Sequence, residues 1–240
     1  MKLPATRPAS PRSSPATMFN AAPAGPAAWQ RYRAQLAAYA RAPVNYDYQH
    51  QADYSPATGW RLDHYATALP AEAPGPPGPA GSFAAAQRVL WHYAFPPPSL
   101  LVGYFDPAQP LAERVMLLRA RFLGFTFHFG VRIVDVVDAT QPAAGGLGAE
   151  RVWGYGYRTL EGHFERGQIN FAVHKNLATG AVDFRIQAVS QRGRIRNPFY
   201  WLGFRLFGRL LQRRFARQSL QRLRGLVAQA LAQTIAAPGG

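Results

Sequence analysis

The chain contains no cysteine. Disulfides, thiolate metal sites and cysteine nucleophiles are excluded together, and a reducing cytoplasm is the location this composition fits. Lysine is almost as scarce: of 27 basic residues only Lys2 and Lys175 are not arginine. No apolar run reaches the roughly 18 residues that span a bilayer. The N-terminal stretch MKLPATRPASPRSSPATMF has no continuous apolar segment, so no secretory signal is expected. The six histidines (50, 64, 92, 128, 163 and 174) include no i, i+4 pair, and HExxH is missing, so no metal is expected. The GGLG stretch at 145–148 runs into AERVW, a strand pattern. It is not a phosphate loop, and no cofactor is implied. Acidic residues are missing from both ends. Residues 1–42 hold six basic side chains and residues 192–240 hold ten, with no acid in either segment. The stretch 43–191 balances eleven basic against twelve acidic residues, so the net charge of +15 sits at the termini.

Hydrophobic residues make up 48% of 240, enough for one real core. Residues 1–28 are rich in Ala, Pro and Ser with few bulky apolar residues, and a disordered tail is expected there. Trp29, Tyr32, Leu36 and Tyr39 have helical spacing. A single domain is expected over 43–236, interrupted by a Pro/Gly-rich loop at 71–82. Ser82 is a plausible N-cap for a helix in which Phe83, Ala86, Leu90 and Tyr93 share a face.

From Leu100 to Ser190 the period becomes two. Strands are expected at 100–105, 114–122, 124–128, 130–138, 150–160, 168–175 and 181–190, as in an antiparallel sheet with one buried side. Arg132 and Asp135 lie an odd number of residues apart in one of these strands, which puts them on opposite faces. A helix of more than thirty residues follows Pro198, with Phe204, Phe207, Leu211 and Phe215 on one stripe. Arg205, Arg209, Arg213 and Arg217 recur at i, i+4 beside that stripe. The element order is α+β: an antiparallel sheet must bury its apolar face, and the long helix is the obvious cover.

One segment is more specific. RVWGYGYRTLEGHFERGQINFAVH, followed by VDFRIQAVSQRGR and RLLQRRFARQSLQRL, resembles uncharacterised protein family 0548, with Gln168 and Ile169 at positions that are usually acidic there. The resemblance covers about Phe83 to Leu231. It implies a helix-grip fold like that of START and birch-pollen-allergen proteins, in which a curved antiparallel sheet wraps around a long C-terminal helix above a cavity. It implies no reaction.

These patterns point to a pocket for a small hydrophobic or lipid-like ligand. Phe204, Phe207, Leu211 and Phe215 would line it from the helix, and Tyr155, Tyr157, Phe171 and Phe184 from the strands. Arg158 and His163 would orient a polar head. The segment LEGHFERG has two readings. It is the solvated tip of a hairpin turned by Gly162 and Gly167, or it is the cavity mouth, with His163 or Glu161 as an acid/base if the pocket is an enzyme's. Arg205, Arg209, Arg213 and Arg217 would meet an anionic membrane surface, ranked ahead of nucleic acid because no nucleic-acid motif accompanies them.

Overall fold

The computed structural model describes residues 27–122, 124–143, 148–193 and 198–236. The side chains of Phe122, of 198–208 and of Ile235 lie outside that description, as do residues 1–26 of the expected tail and 144–147 of the GGLG stretch.

Seven strands form one sheet: β1 (Arg61–Leu69), β2 (Leu101–Tyr104), β3 (Val115–Phe122), β4 (Phe125–Pro142), β5 (Ala149–Thr159), β6 (Glu165–Asn176) and β7 (Val182–Arg192). The order across the sheet is β1-β7-β6-β5-β4-β3-β2, and every neighbouring pair is antiparallel. The helices are α1 (Arg33–Arg41), α2 (Ser82–Trp91) and α3 (Pro198–Ala236). This is a helix-grip fold: a curved antiparallel sheet wraps around a long C-terminal helix. Among the described residues no helix is long and apolar enough to cross a membrane.

The alternation in β6 and β7 explains their pairing. Phe171 faces Ile186 and Val173 faces Phe184 across the register, all four buried on the concave side. The helix α2 lies over them. Phe95, just beyond its end, packs on Phe171 at 4.8 Å and on Phe184 at 5.7 Å. From α3, Leu223, Val227 and Ala230 are buried in this core, with Phe215 and Leu220 packed against it.

The convex face is covered too. Trp29, Tyr32, Leu36 and Tyr39 pack on Val102, Tyr104 and Leu117. Gly130 of β4 makes room for them, since a Cβ there would fall within the Tyr39 ring. Arg132 then donates to the carbonyls of Ala40 (2.9 Å) and Ala42 (3.0 Å), closing the C-terminal end of α1.

Three expectations need correction. The strands expected at 124–128 and 130–138 are one, Phe125–Pro142, and β1 was not expected at all. Arg132 and Asp135 are not on opposite faces. The register of β4 on β5 shifts between Val134 and Val137, with Asp135 at φ 51, and this bulge resets the alternation. Asp135 therefore meets Arg158 (3.5 Å) and Gln168 (2.6 Å) on the convex face that Arg132 also occupies. Nor does Ser82 cap α2. Its hydroxyl donates to Pro70 O, and the Phe83 N–H is taken by Glu72 from eleven residues upstream, at 2.8 Å.

Glu72 also receives the Gly78 N–H and the Lys175 ammonium, the latter at 2.8 Å. The loop 71–82 is thus anchored rather than a free linker. Burial alone would raise the Glu72 carboxyl, but Lys175 and the two N–H groups outweigh it and hold it below its ordinary value. Lys175 is 1% exposed. Replacing it with Met strands Glu72 and is expected to cost about 3 kcal/mol. A depressed carboxylate stabilises above its unfolded pKa and loses that contribution as pH falls through the folded one. The acid-side decline in Tm below about pH 4 should therefore be shallower in Lys175→Met than in the wild type. Thermal unfolding across pH checks both effects.

Candidate functional site

The N-terminal half of α3 crosses the sheet where α2 does not reach. Beneath it lies a cavity of about 200 Å³. Its walls are mainly apolar. Phe127 and Phe129 come from β4, Tyr157 from β5, Ile169 from β6, Ile186 from β7, and Leu211 and Phe215 from α3. Most of the bulky apolar side chains in this lining come from the concave parity of their strands, as Phe127 and Phe129 do in β4.

One end is polar. Arg209 of α3 bonds to Asp63 of β1 at 2.6 Å, and Tyr65 donates to the same carboxylate. One turn on, the Gln212 amide donates to Glu165 Oε1. Two polar contacts thus tie the helix to β1 and β6 at the cavity rim. Burial pushes the Glu165 carboxyl up to about 7, against the opposing effects of the Gln212 hydrogen bond and the Arg61 charge.

His163 lies at the turn before β6, 8% exposed, with its ring 4.3 Å from that of Phe129. Burial holds it down to about 3, so the imidazole is neutral. Its Nδ1 accepts the Glu165 N–H at 2.9 Å, which leaves the proton on Nε2. The two readings of LEGHFERG each hold in part. Glu161 is exposed and Gly162 turns the chain at φ 88, while His163 and Glu165 enter the cavity wall. The pair His163 and Glu161 does not converge on the cavity. His174, at the far end of β6, lies away from the cavity, its Nδ1 3.3 Å from the Glu150 carboxylate.

The expected ligand-binding residues divide into groups. Tyr157, His163, Leu211 and Phe215 come together around the cavity. Tyr155, Phe171 and Phe184 are core residues under α2, and Tyr155 donates to Leu90 O at 2.8 Å. Arg158 is on the convex face, bonded to Gln168 at 2.8 Å and stacked 4.2 Å from the Tyr48 ring. It cannot orient a head group in the cavity. The side chains of Phe204, Phe207 and Arg205 lie outside the described residues. Nor do the arginines form one free ridge, since Arg209 is bound to Asp63. Arg213 and Arg217 point outward, joined by Arg214.

Sequence reasoning missed Asp63, Glu165 and Gln212. Glu165 stood within the charged tip and nothing distinguished it from Glu161, because the tertiary partner sits 47 residues away. Phe127 and Phe129 did carry a signal, the alternation FTFHF.

A family model, the domain of unknown function DUF1990, matches residues 44–222. The chain belongs to the DUF1990 family. The resemblance of the TLEGH segment to uncharacterised protein family 0548 is corrected by this match. The DUF1990 match includes the whole sheet and the cavity, and leaves α1 outside. No curated protein matches the chain. Three solved structures are among those similar to this DUF1990 protein. Ara h 8.0201 is 14% identical, with TM-score 0.40, covering 71% of this chain and 99% of its own. A norcoclaurine synthase point mutant from Thalictrum flavumn, in complex with a transition state analogue, is 10% identical, with TM-score 0.41, covering 71% and 95%. The major latex-like protein 151 of Panax ginseng is 13% identical, with TM-score 0.34, covering 68% and 99%. Similarity this low says nothing of ligand or chemistry in the DUF1990 protein.

The raised Glu165 pKa has a measurable sign. A carboxyl whose folded pKa exceeds its unfolded one favours folding while protonated. That contribution is lost as pH rises from about 4.3 to about 7. Wild-type stability should fall across this window relative to Glu165→Gln, by up to about 3 kcal/mol. Chemical denaturation of both proteins at several pH values measures the difference.

Proposed function

We propose that the protein binds a small hydrophobic or lipid-like molecule in the cavity between the sheet and α3. The observation that carries this reading is the lining itself: aromatic and aliphatic walls from all seven strands and α3, with a cluster of polar groups at one end. Mainly apolar pockets with a few placed polar groups are the usual form of small-molecule sites. A packed core would have filled this space, since interiors are otherwise close to crystal density. The test is native mass spectrometry of protein purified without added lipid, together with titration of an apolar fluorophore. One equivalent should bind. Leu211→Trp, which fills the cavity from the helix side, should weaken fluorophore affinity at least about tenfold with cooperative unfolding retained. Absence of both co-purified ligand and fluorophore binding contradicts the reading.

A second reading concerns the outer face of α3. Arg213, Arg214, Arg217 and Arg224 are exposed there and form no ion pair among the described residues. Leu210 stands among them at 64% exposure. A basic stripe with an apolar side chain suits an anionic membrane surface, each arginine contributing about 1 kcal/mol near the lipid. The exposed leucine favours lipid over nucleic acid. The protein should co-sediment with anionic but not neutral vesicles, and the binding should weaken with salt. Replacing these four arginines with Gln should abolish it and leave cavity occupancy unchanged.

A further inference from the structure

Two acceptors stand side by side at the polar end of the cavity with their hydrogen bonding incomplete. Gln212 gives its N–H to Glu165, and its own Oε1 is buried with no donor. A buried unsatisfied carbonyl costs about 1–3 kcal/mol, so a group left in this state next to an open space points to a ligand that satisfies it. Beside it, Glu165 forms no ion pair with any cation among the described residues. The two cationic residues that line the same cavity do not serve it. Arg166 is turned away to Gln191, and Arg121 alternates with the concave-facing Leu118 and Ala120, on the convex parity of β3.

Several other groups at the polar end are already committed. Arg209 is bound to Asp63, and Tyr65 donates to Asp63. His163 is neutral and its Nδ1 accepts the Glu165 backbone N–H. Arg61 of β1 acts on Glu165 only through its field, without a contact. Two donors here also lack a partner among the described residues, the buried Arg166 Nε and His163 Nε2–H; the two adjacent unfilled acceptors are Gln212 Oε1 and the Glu165 carboxyl.

We infer that the cavity selects an amphipathic amine: an apolar body with a primary ammonium head that donates to Gln212 Oε1 and to the Glu165 carboxylate. The inference rests on the cavity reading proposed above and specifies its ligand class. An ammonium carries three donors and can serve both acceptors at once, whereas a hydroxyl serves one. A carboxylate head would donate to neither and would meet Asp63 and Glu165 as a like charge. Ionisation of Glu165 near neutral pH adds a charge to the hydrogen bond, and charge-assisted bonds are about twice as strong as neutral ones.

The experiment displaces an apolar fluorophore from the full chain with decylamine, decanol and decanoate, each below its micelle concentration. Decylamine should compete at least about tenfold better than decanoate near pH 8. Its affinity should rise from about pH 6 to about pH 8 as Glu165 ionises, while that of decanol stays level. Glu165→Gln should remove the pH dependence, and Gln212→Met should weaken decylamine and decanol alike. Should either variant fail to fold, the wild-type ranking and its pH dependence still decide. Equal or tighter binding of decanoate, or an amine preference unchanged in Glu165→Gln, overturns the inference while the cavity reading stands. If the fluorophore does not bind at all, the cavity reading falls and this inference falls with it.

Discussion

The arrangement depends on how the first half of α3 is held. Its second half is fixed by apolar burial, with Leu223 and Val227 fully enclosed between α2 and the sheet. The turn around Arg209 and Gln212 is held differently, by one ion pair to β1 and one amide–carboxyl contact to β6. Polar contacts fix a distance as well as an orientation, because they fail when the partners are a fraction of an ångström out. Apolar contact alone would draw the helix down until the gap closed. The two contacts keep the helix at a standoff, and the space beneath it is the cavity.

The convex face is covered by other parts of the chain. Segment 28–39 covers β2 and β3 with four aromatic and aliphatic side chains, and Arg132 locks the end of α1. Farther along, Tyr46, Tyr54 and Trp60 form an aromatic cluster, with Tyr54 and Trp60 stacked at 3.8 Å. Arg158 is absorbed there by Asp135 and Gln168. The charge of Arg158 is thus consumed on the convex side, away from the cavity.

Much of this fold could be read from the chain. Alternation of Ile169, Phe171 and Val173 against Val182, Phe184 and Ile186 marks two strands, and the length of the last helix marks the cover. β1 was missed for a physical reason. Its concave positions begin with Arg61, Asp63 and Tyr65, polar because they meet α3 rather than the core, so no apolar alternation announces them. The bulge at Asp135 was equally hidden, since a non-glycine residue at positive φ carries no sequence signal. The candidate site was legible only by halves. Helix periodicity placed Leu211 and Phe215 on the cavity side, but strand parity cannot say where along a strand the core ends and the cavity begins. Tyr155 and Tyr157 are identical in pattern, and only the position of α2 separates them.

The standoff is tested most directly by a double-mutant cycle on Asp63 and Arg209, using Asp63→Asn, Arg209→Gln and the pair, with the dissociation constant of an apolar fluorophore as the readout. The two residues act on the cavity through one bond between them. Each single change should weaken fluorophore binding, and the double change should be no worse than either alone, a coupling of about 1–2 kcal/mol. Independent, additive losses, or affinity unchanged in all three variants, would contradict the claim that this contact holds the cavity open.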